Sequence, residues 1–123
     1  MNKDHGKDSN LVDWDALEEL RALGAGDERE GQFLAEIIQL YRKVGEECLS
    51  GLDKAYFAQN SNQILRWAHK LKGSSRNVGA KKLGSLCDSL ESRARANGNI
   101  LETEIKEIST VYEETLDQLL KVG

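Results

Sequence analysis

The sequence contains no proline. Proline lacks an N–H and clashes with the preceding turn, so its absence leaves long, unbroken helices open to the whole chain. Cysteine is nearly absent too, with only Cys48 and Cys87. Two cysteines at that separation make neither a disulfide scaffold nor a zinc site, and they fit a reducing compartment. No apolar run is long enough to span a bilayer. The stretch from Met1 to Asn10 is polar and lacks the apolar segment of a secretory signal. The expected location is therefore cytoplasmic, with no membrane role. An excess of positive charge is also lacking, since the formal net charge is −4. A nucleic-acid binder needs a basic surface to displace counterions, so no nucleic-acid partner is expected.

What remains is rich in leucine, glutamate, lysine and alanine, the strong helix formers. The 123 residues suit one domain with one core. Residues 1–10 read as a flexible N-terminal tail, and 11–123 as a single helical domain. Trp14, Leu17 and Leu20 recur at helical spacing, predicting a first helix near 13–23. Asp13 is placed to cap it, with Val12 and Leu17 as a hydrophobic staple. Gly24 and Gly26 break it. Asp27 and Glu30 suit the positive end of a second helix. The stripe Leu34, Ile37, Tyr41, Val44, Cys48, Leu52 and Ala55 carries that helix from 28 to 57, weakened locally by Gly45 and Gly51.

Asn60 or Ser61 caps a third helix, whose inward side is Ile64, Ala68, Leu71, Ser75 and Val78, helped by Trp67. Asn77 and Gly79 stop it. Leu83, Leu86, Cys87, Leu90 and Ala94 define a fourth, ending at Asn97-Gly98. Asn99 with Glu102 resembles a capping box for a fifth, carrying Ile105, Ile108, Tyr112 and Leu119. Short connections favour antiparallel neighbours. The expected fold is all-α: an up-and-down four-helix bundle with a short additional N-terminal helix over one end.

The stretch Trp67 to Ala80 reads W-A-H-K-L-K-G-S-S-R-N-V-G-A. At about 100° per residue, His69 lies roughly 160° from the inward side centred on Leu71. It therefore points outward. Lys72, Gly73 and Arg76 share its face, at the third, fourth and seventh positions after it. A neutral imidazole is a nucleophile near neutral pH. Lys72 and Arg76 are placed to stabilise the negative oxygens of a transferring phosphoryl group. Gly73, costly inside a helix by about 1 kcal/mol, leaves bare backbone one turn beyond the histidine. That gap admits a partner's active site. Leu65, one turn before, adds an exposed apolar contact.

Blander readings stand beside these. Lys72 and Arg76 read singly are a solvated face. Ser75 reads as a small packing residue and Cys87 as core rather than reactive thiol. Trp14 and Trp67 read as core, and His5 as an incidental tail residue.

The residues A-H-K-L-K-G-S-S (Ala68 to Ser75), then Gly79-Ala80, then L-x-x-L-C-x-x-L-E (Leu83 to Glu91) resemble the histidine-containing phosphotransfer domain. The resemblance implies a four-helix bundle carrying its phosphorylated histidine, His69, exposed midway along one helix. It implies a carrier that accepts phosphoryl from a receiver-domain aspartate and donates it to another receiver in a two-component phosphorelay. The partners would be the receiver of a hybrid sensor histidine kinase and that of a downstream response regulator. Lys72 matches the family's phosphate-neighbouring lysine and Gly73 its access glycine. Arg95 falls where some members carry a basic residue near the site, and Lys43 where some carry a polar one. Lys70, Lys72 and Arg76 would form a basic docking strip that steers an acidic receiver pocket. No cofactor is expected, because the magnesium belongs to the receiver. The chain is expected to be a monomer, and not an enzyme with its own ATP site.

Three other readings compete. A histidine kinase would show acidic and proline residues after the histidine, and a glycine-rich nucleotide loop; here Lys70 follows and neither feature is present. A di-iron bundle needs Glu-x-x-His pairs facing inward, but position 66 is Arg66 and His69 faces outward, so no metal site is expected. A non-catalytic helical adaptor that docks response regulators would share the composition and differ only at the His69 face.

Overall fold

The structure is a computed structural model that describes residues 10–24 and 30–122, with the backbone alone for Glu30. The tail 1–9, including His5, and the segment with Gly26 and Asp27 lie outside the described residues. Five helices run in order: α1 (Trp14–Ala22), α2 (Glu30–Phe57), α3 (Ser61–Asn77), α4 (Lys81–Arg95) and α5 (Glu102–Val122). Helix α2 packs on α3 and α5, and α4 packs on the same two, so the four long helices close into an up-and-down ring. The short α1 packs on α2.

Each boundary has a local cause. The Asp13 carboxylate accepts from the Ala16 N–H and caps α1, with Val12 and Leu17 both buried beside it. Asn60 caps α3 by accepting from the Gln63 N–H. Gly79 ends the α3 run at φ +77, a left-handed conformation that side-chain-bearing residues rarely adopt. Its carbonyl accepts the Asp13 N–H at 2.7 Å, which ties the entry to α1 onto the α3–α4 turn. Asn97, at φ 57, closes the last turn of α4. The expected Asn99–Glu102 capping box is not formed. Helix α5 begins at Glu102, later than that pair requires, and Glu104 reaches back to the Leu101 N–H instead.

The core stripe of α2 is Leu34, Ile38, Tyr41, Cys48, Leu52 and Ala55, all buried. Ile38, rather than the expected Ile37, takes the inward position, and Ile37 is half-buried beside it. Gly45 and Gly51 each face a ring from a neighbouring helix. A Cβ on Gly45 would run into the Tyr112 ring, 2.8 Å from Cζ, and one on Gly51 into the Trp67 indole, 2.5 Å from Nε1. Both glycines are sockets for aromatic rings from neighbouring helices. Tyr41 and Ser75 share a buried hydrogen bond of 2.8 Å, so Ser75 packs inward and is satisfied there. Cys48 and Cys87 are both fully buried free thiols, and burial pushes them up to about 11 and about 12. At those values neither forms an appreciable thiolate near neutral pH.

Candidate functional site

Ile64, Ala68, Leu71 and Ser75 turn one side of α3 into the bundle, and this rotation sets His69 on the opposite side. The His69 side chain is 66 % exposed, midway along the helix. Its Nδ1 lies 2.9 Å from Oε2 of Glu91 on α4, the helix packed most closely against α3.

Glu91 is the centre of the arrangement. It follows Cys87 by one turn on the inward stripe of α4, and only 3 % of it is exposed. Besides His69 it holds two cations: Lys72 Nζ at 2.7 Å on Oε1, and Arg95 Nη2 at 2.9 Å on Oε2. Burial alone would raise this carboxyl's pKa. The ion pair with Lys72 and the hydrogen bonds with Arg95 and His69 outweigh it and hold the group at about 2. Glu91 is therefore a carboxylate at any physiological pH. An ionised carboxylate only accepts hydrogen bonds, so the neutral His69 ring keeps its proton on Nδ1. The lone pair is then on Nε2, the ring nitrogen that Glu91 leaves free.

Lys72 also reaches Asp88 Oδ1, one turn before Glu91, at 3.2 Å. The two carboxylates raise its pKa, Glu91 more than Asp88, so the ammonium stays charged. Lys72 thus reaches the histidine's surroundings through Glu91, as a member of a ring of four charges rather than as an unpaired cation.

The other sequence-derived residues divide. Gly73 stands open: a Cβ there would meet nothing within 4 Å. Arg76 is exposed, and its stem lies over Gly84 of α4, where a Cβ would stand 3.3 Å from Arg76 Cγ. Arg95 joins the cluster by its bond to Glu91. Lys43 is exposed on α2, and no bond ties it to Glu91 or His69. The antiparallel pairs Glu47–Lys70 and Tyr41–Ser75 put it level with Gly73 and Ser74. Two expectations need correction. Leu65 is half-buried and packs against the core, so it is no freely exposed contact. The basic strip is largely neutralised: Lys70 pairs with Glu47 at 3.2 Å and lies over the Trp67 ring, while Lys72 is held by its two carboxylates.

Glu91 and Asp88 were missed as site residues by sequence reasoning. For Glu91 there was a signal. A carboxylate on the stripe Leu83, Cys87, Leu90, Ala94 must be buried, and a buried charge needs partners. For Asp88 there was none beyond its spacing from Glu91. Among the described residues no group of three or more His, Cys, Asp and Glu is arranged to hold a metal ion. Among them, too, no helix is long and apolar enough to cross a membrane.

The family model for the Hpt domain matches residues 36–121, from the first third of α2 to the end of α5. Two curated relatives are similar to the chain. Phosphorelay intermediate protein YPD1 of Candida albicans is 28 % identical over 85 residues, covering 69 % of this chain and 45 % of that protein. Multistep phosphorelay regulator 1 of Schizosaccharomyces pombe is 26 % identical over 105 residues, covering 84 % of this chain and 35 % of that one. The chain thus spans less than half the length of either relative. No solved structure matches it at the same significance.

Proposed function

The chain belongs to the Hpt domain family, and on that footing we propose that it carries phosphoryl groups on Nε2 of His69 between receiver domains of a phosphorelay. The observation that supports this most directly is the bond from His69 Nδ1 to the ionised Glu91, made by a ring that is two-thirds exposed. It fixes one tautomer and leaves the nucleophilic nitrogen facing outward.

The transfer follows from that geometry. A receiver presents an aspartyl phosphate, with any magnesium held on its own side. The Nε2 lone pair attacks phosphorus, the Nε2–P bond forms, and the bond from phosphorus to the aspartyl oxygen breaks. That electron pair leaves on the receiver's carboxylate. The Nδ1 proton stays where it is, so the ring becomes positively charged as it gives up its lone pair. Glu91 stabilises that charge and needs no movement to do so. Donation to the next receiver is the reverse sequence. Gly73 keeps the helix surface bare beside the ring, which lets the receiver's loops close on it. No step calls for a nucleotide, so the chain acts as carrier and not as kinase, meeting receivers in the cytoplasm.

The test is phosphotransfer profiling against a panel of purified, phosphorylated receivers. Intact-mass measurement should show one added phosphoryl group on the wild type and none on His69→Gln. Label on His69→Gln would move the site elsewhere. A chain that docks receivers yet takes no label would be an adaptor.

A further inference from the structure

We propose that Asp88 is a positioning residue that sets how readily His69 gives up its phosphoryl group, by competing with that group for Lys72. This rests on the carrier reading above. Two carboxylates, Glu91 and Asp88, and two cations, Lys72 and Arg95, form one cluster joined to the ring through Glu91, and their charges cancel. The two carboxylates are not equivalent. Glu91 is covered, bonds the ring itself and receives three partners. Asp88 is half exposed and bonds only the outer side of the Lys72 ammonium, at 3.2 Å against 2.7 Å for Glu91. Nothing in the tautomer or in the ring's orientation depends on it.

A phosphoryl group brings about two negative charges to a ring that gains one positive charge. The cluster then carries an excess of negative charge, and Lys72, three residues after His69 on the same helix, is an adaptable donor within it. It can keep Glu91 with one N–H and turn another from Asp88 to a phosphoryl oxygen. Asp88 opposes that turn in two ways: it holds the ammonium, and it repels the incoming oxygens. The phosphohistidine is thereby kept higher in free energy than the nucleophile's own geometry requires. For a carrier, that favours onward transfer over retention.

Asp88→Asn deletes the charge and keeps an oxygen that accepts from Lys72. The test is a competition between two carriers. Wild type is first labelled with phosphoramidate: the Nε2–P bond forms, the P–N bond breaks, and the nitrogen leaves as ammonia with a proton from solvent. An equal amount of isotopically marked Asp88→Asn is added, with a trace of a receiver domain that exchanges phosphoryl with the wild type. At equilibrium the division of label depends on the two phosphohistidines and not on the receiver. We expect Asp88→Asn to hold about two- to fivefold more label at low salt, the effect of one surface charge through water. The excess should shrink at high salt, and Asp88→Glu should restore an even split. An even split for Asp88→Asn, a majority on the wild type, or an excess indifferent to salt overturns the proposal. Failure of the wild type to label at His69 is a separate result, and it removes the carrier reading itself.

Discussion

Replacing Glu91 by glutamine isolates what its ionisation contributes, because the amide has nearly the shape of the protonated acid. The carboxyl is held at about 2 against an ordinary 4.5. That gap amounts to about 3 kcal/mol of folding stability at neutral pH. This is a ceiling. Glu91 itself is 3 % exposed, but the His69 and Arg95 side chains are 66 % and 62 % exposed, and water screens them. A loss of about 2 kcal/mol is expected. The folded pKa is the lower one, so the stabilisation is complete above about pH 4.5 and disappears as pH falls through about 2. Near pH 3 less than half of it should survive, about 1 kcal/mol. Urea unfolding of wild type and Glu91→Gln at pH 7 and pH 3 reads both numbers as a difference, which cancels the other carboxylates. A loss below about 0.5 kcal/mol at pH 7, or the same loss at both pH values, would refute the account of Glu91 as a stabilising buried anion. The same variant should transfer phosphoryl more slowly, because a glutamine amide can donate to Nδ1 and admit the wrong tautomer.

Three further outcomes follow from single contacts. Gly73→Gln should fold at least as stably as wild type, since nothing lies within 4 Å of the new Cβ, and should accept phosphoryl from a receiver more slowly. Equal rates would remove the access role of the bare turn. Gly51→Ala should cost about 2 kcal/mol by overpacking against Trp67, although alanine is the better helix former by about 1 kcal/mol; a stabilised variant in thermal melts would show that the socket yields. Tyr41→Phe should cost about 1 kcal/mol by leaving Ser75 Oγ unpaired in the core, and unchanged denaturant midpoints would contradict that.

The fold was legible because its cues are local and repeated. Asp13 and Asn60 cap as their side chains allow, Gly79 takes the left-handed turn, and apolar residues recur every three or four positions. Where the reading slipped, a distant residue decided. Ile37 and Ile38 are the same residue type one position apart, and only the placement of α2 among its neighbours turns Ile38 fully inward. Gly45 and Gly51 look like defects until Tyr112 and Trp67 arrive from other helices to fill the space they leave. Leu65 faces outward by rotation about α3 alone, yet it is half covered by the packed core.

The site shows the same division more sharply. That His69 faces outward follows from rotation along one helix. What holds its proton comes from another helix 22 residues later in the chain, and helical periodicity carries no information across that distance. It does flag the conflict within α4, a carboxylate on an apolar stripe. That conflict is resolved only by partners from outside the stripe, and the three that resolve it are the histidine and the two cations sequence reasoning had placed near the phosphoryl group. So Lys72, read as a charge placed for the phosphoryl group, and Arg95, set near the site by the family resemblance, are each already paired with Glu91. The cations at this site therefore act first on the resting state, by keeping a buried carboxylate ionised, and through it they determine which nitrogen of a neutral His69 ring keeps its lone pair.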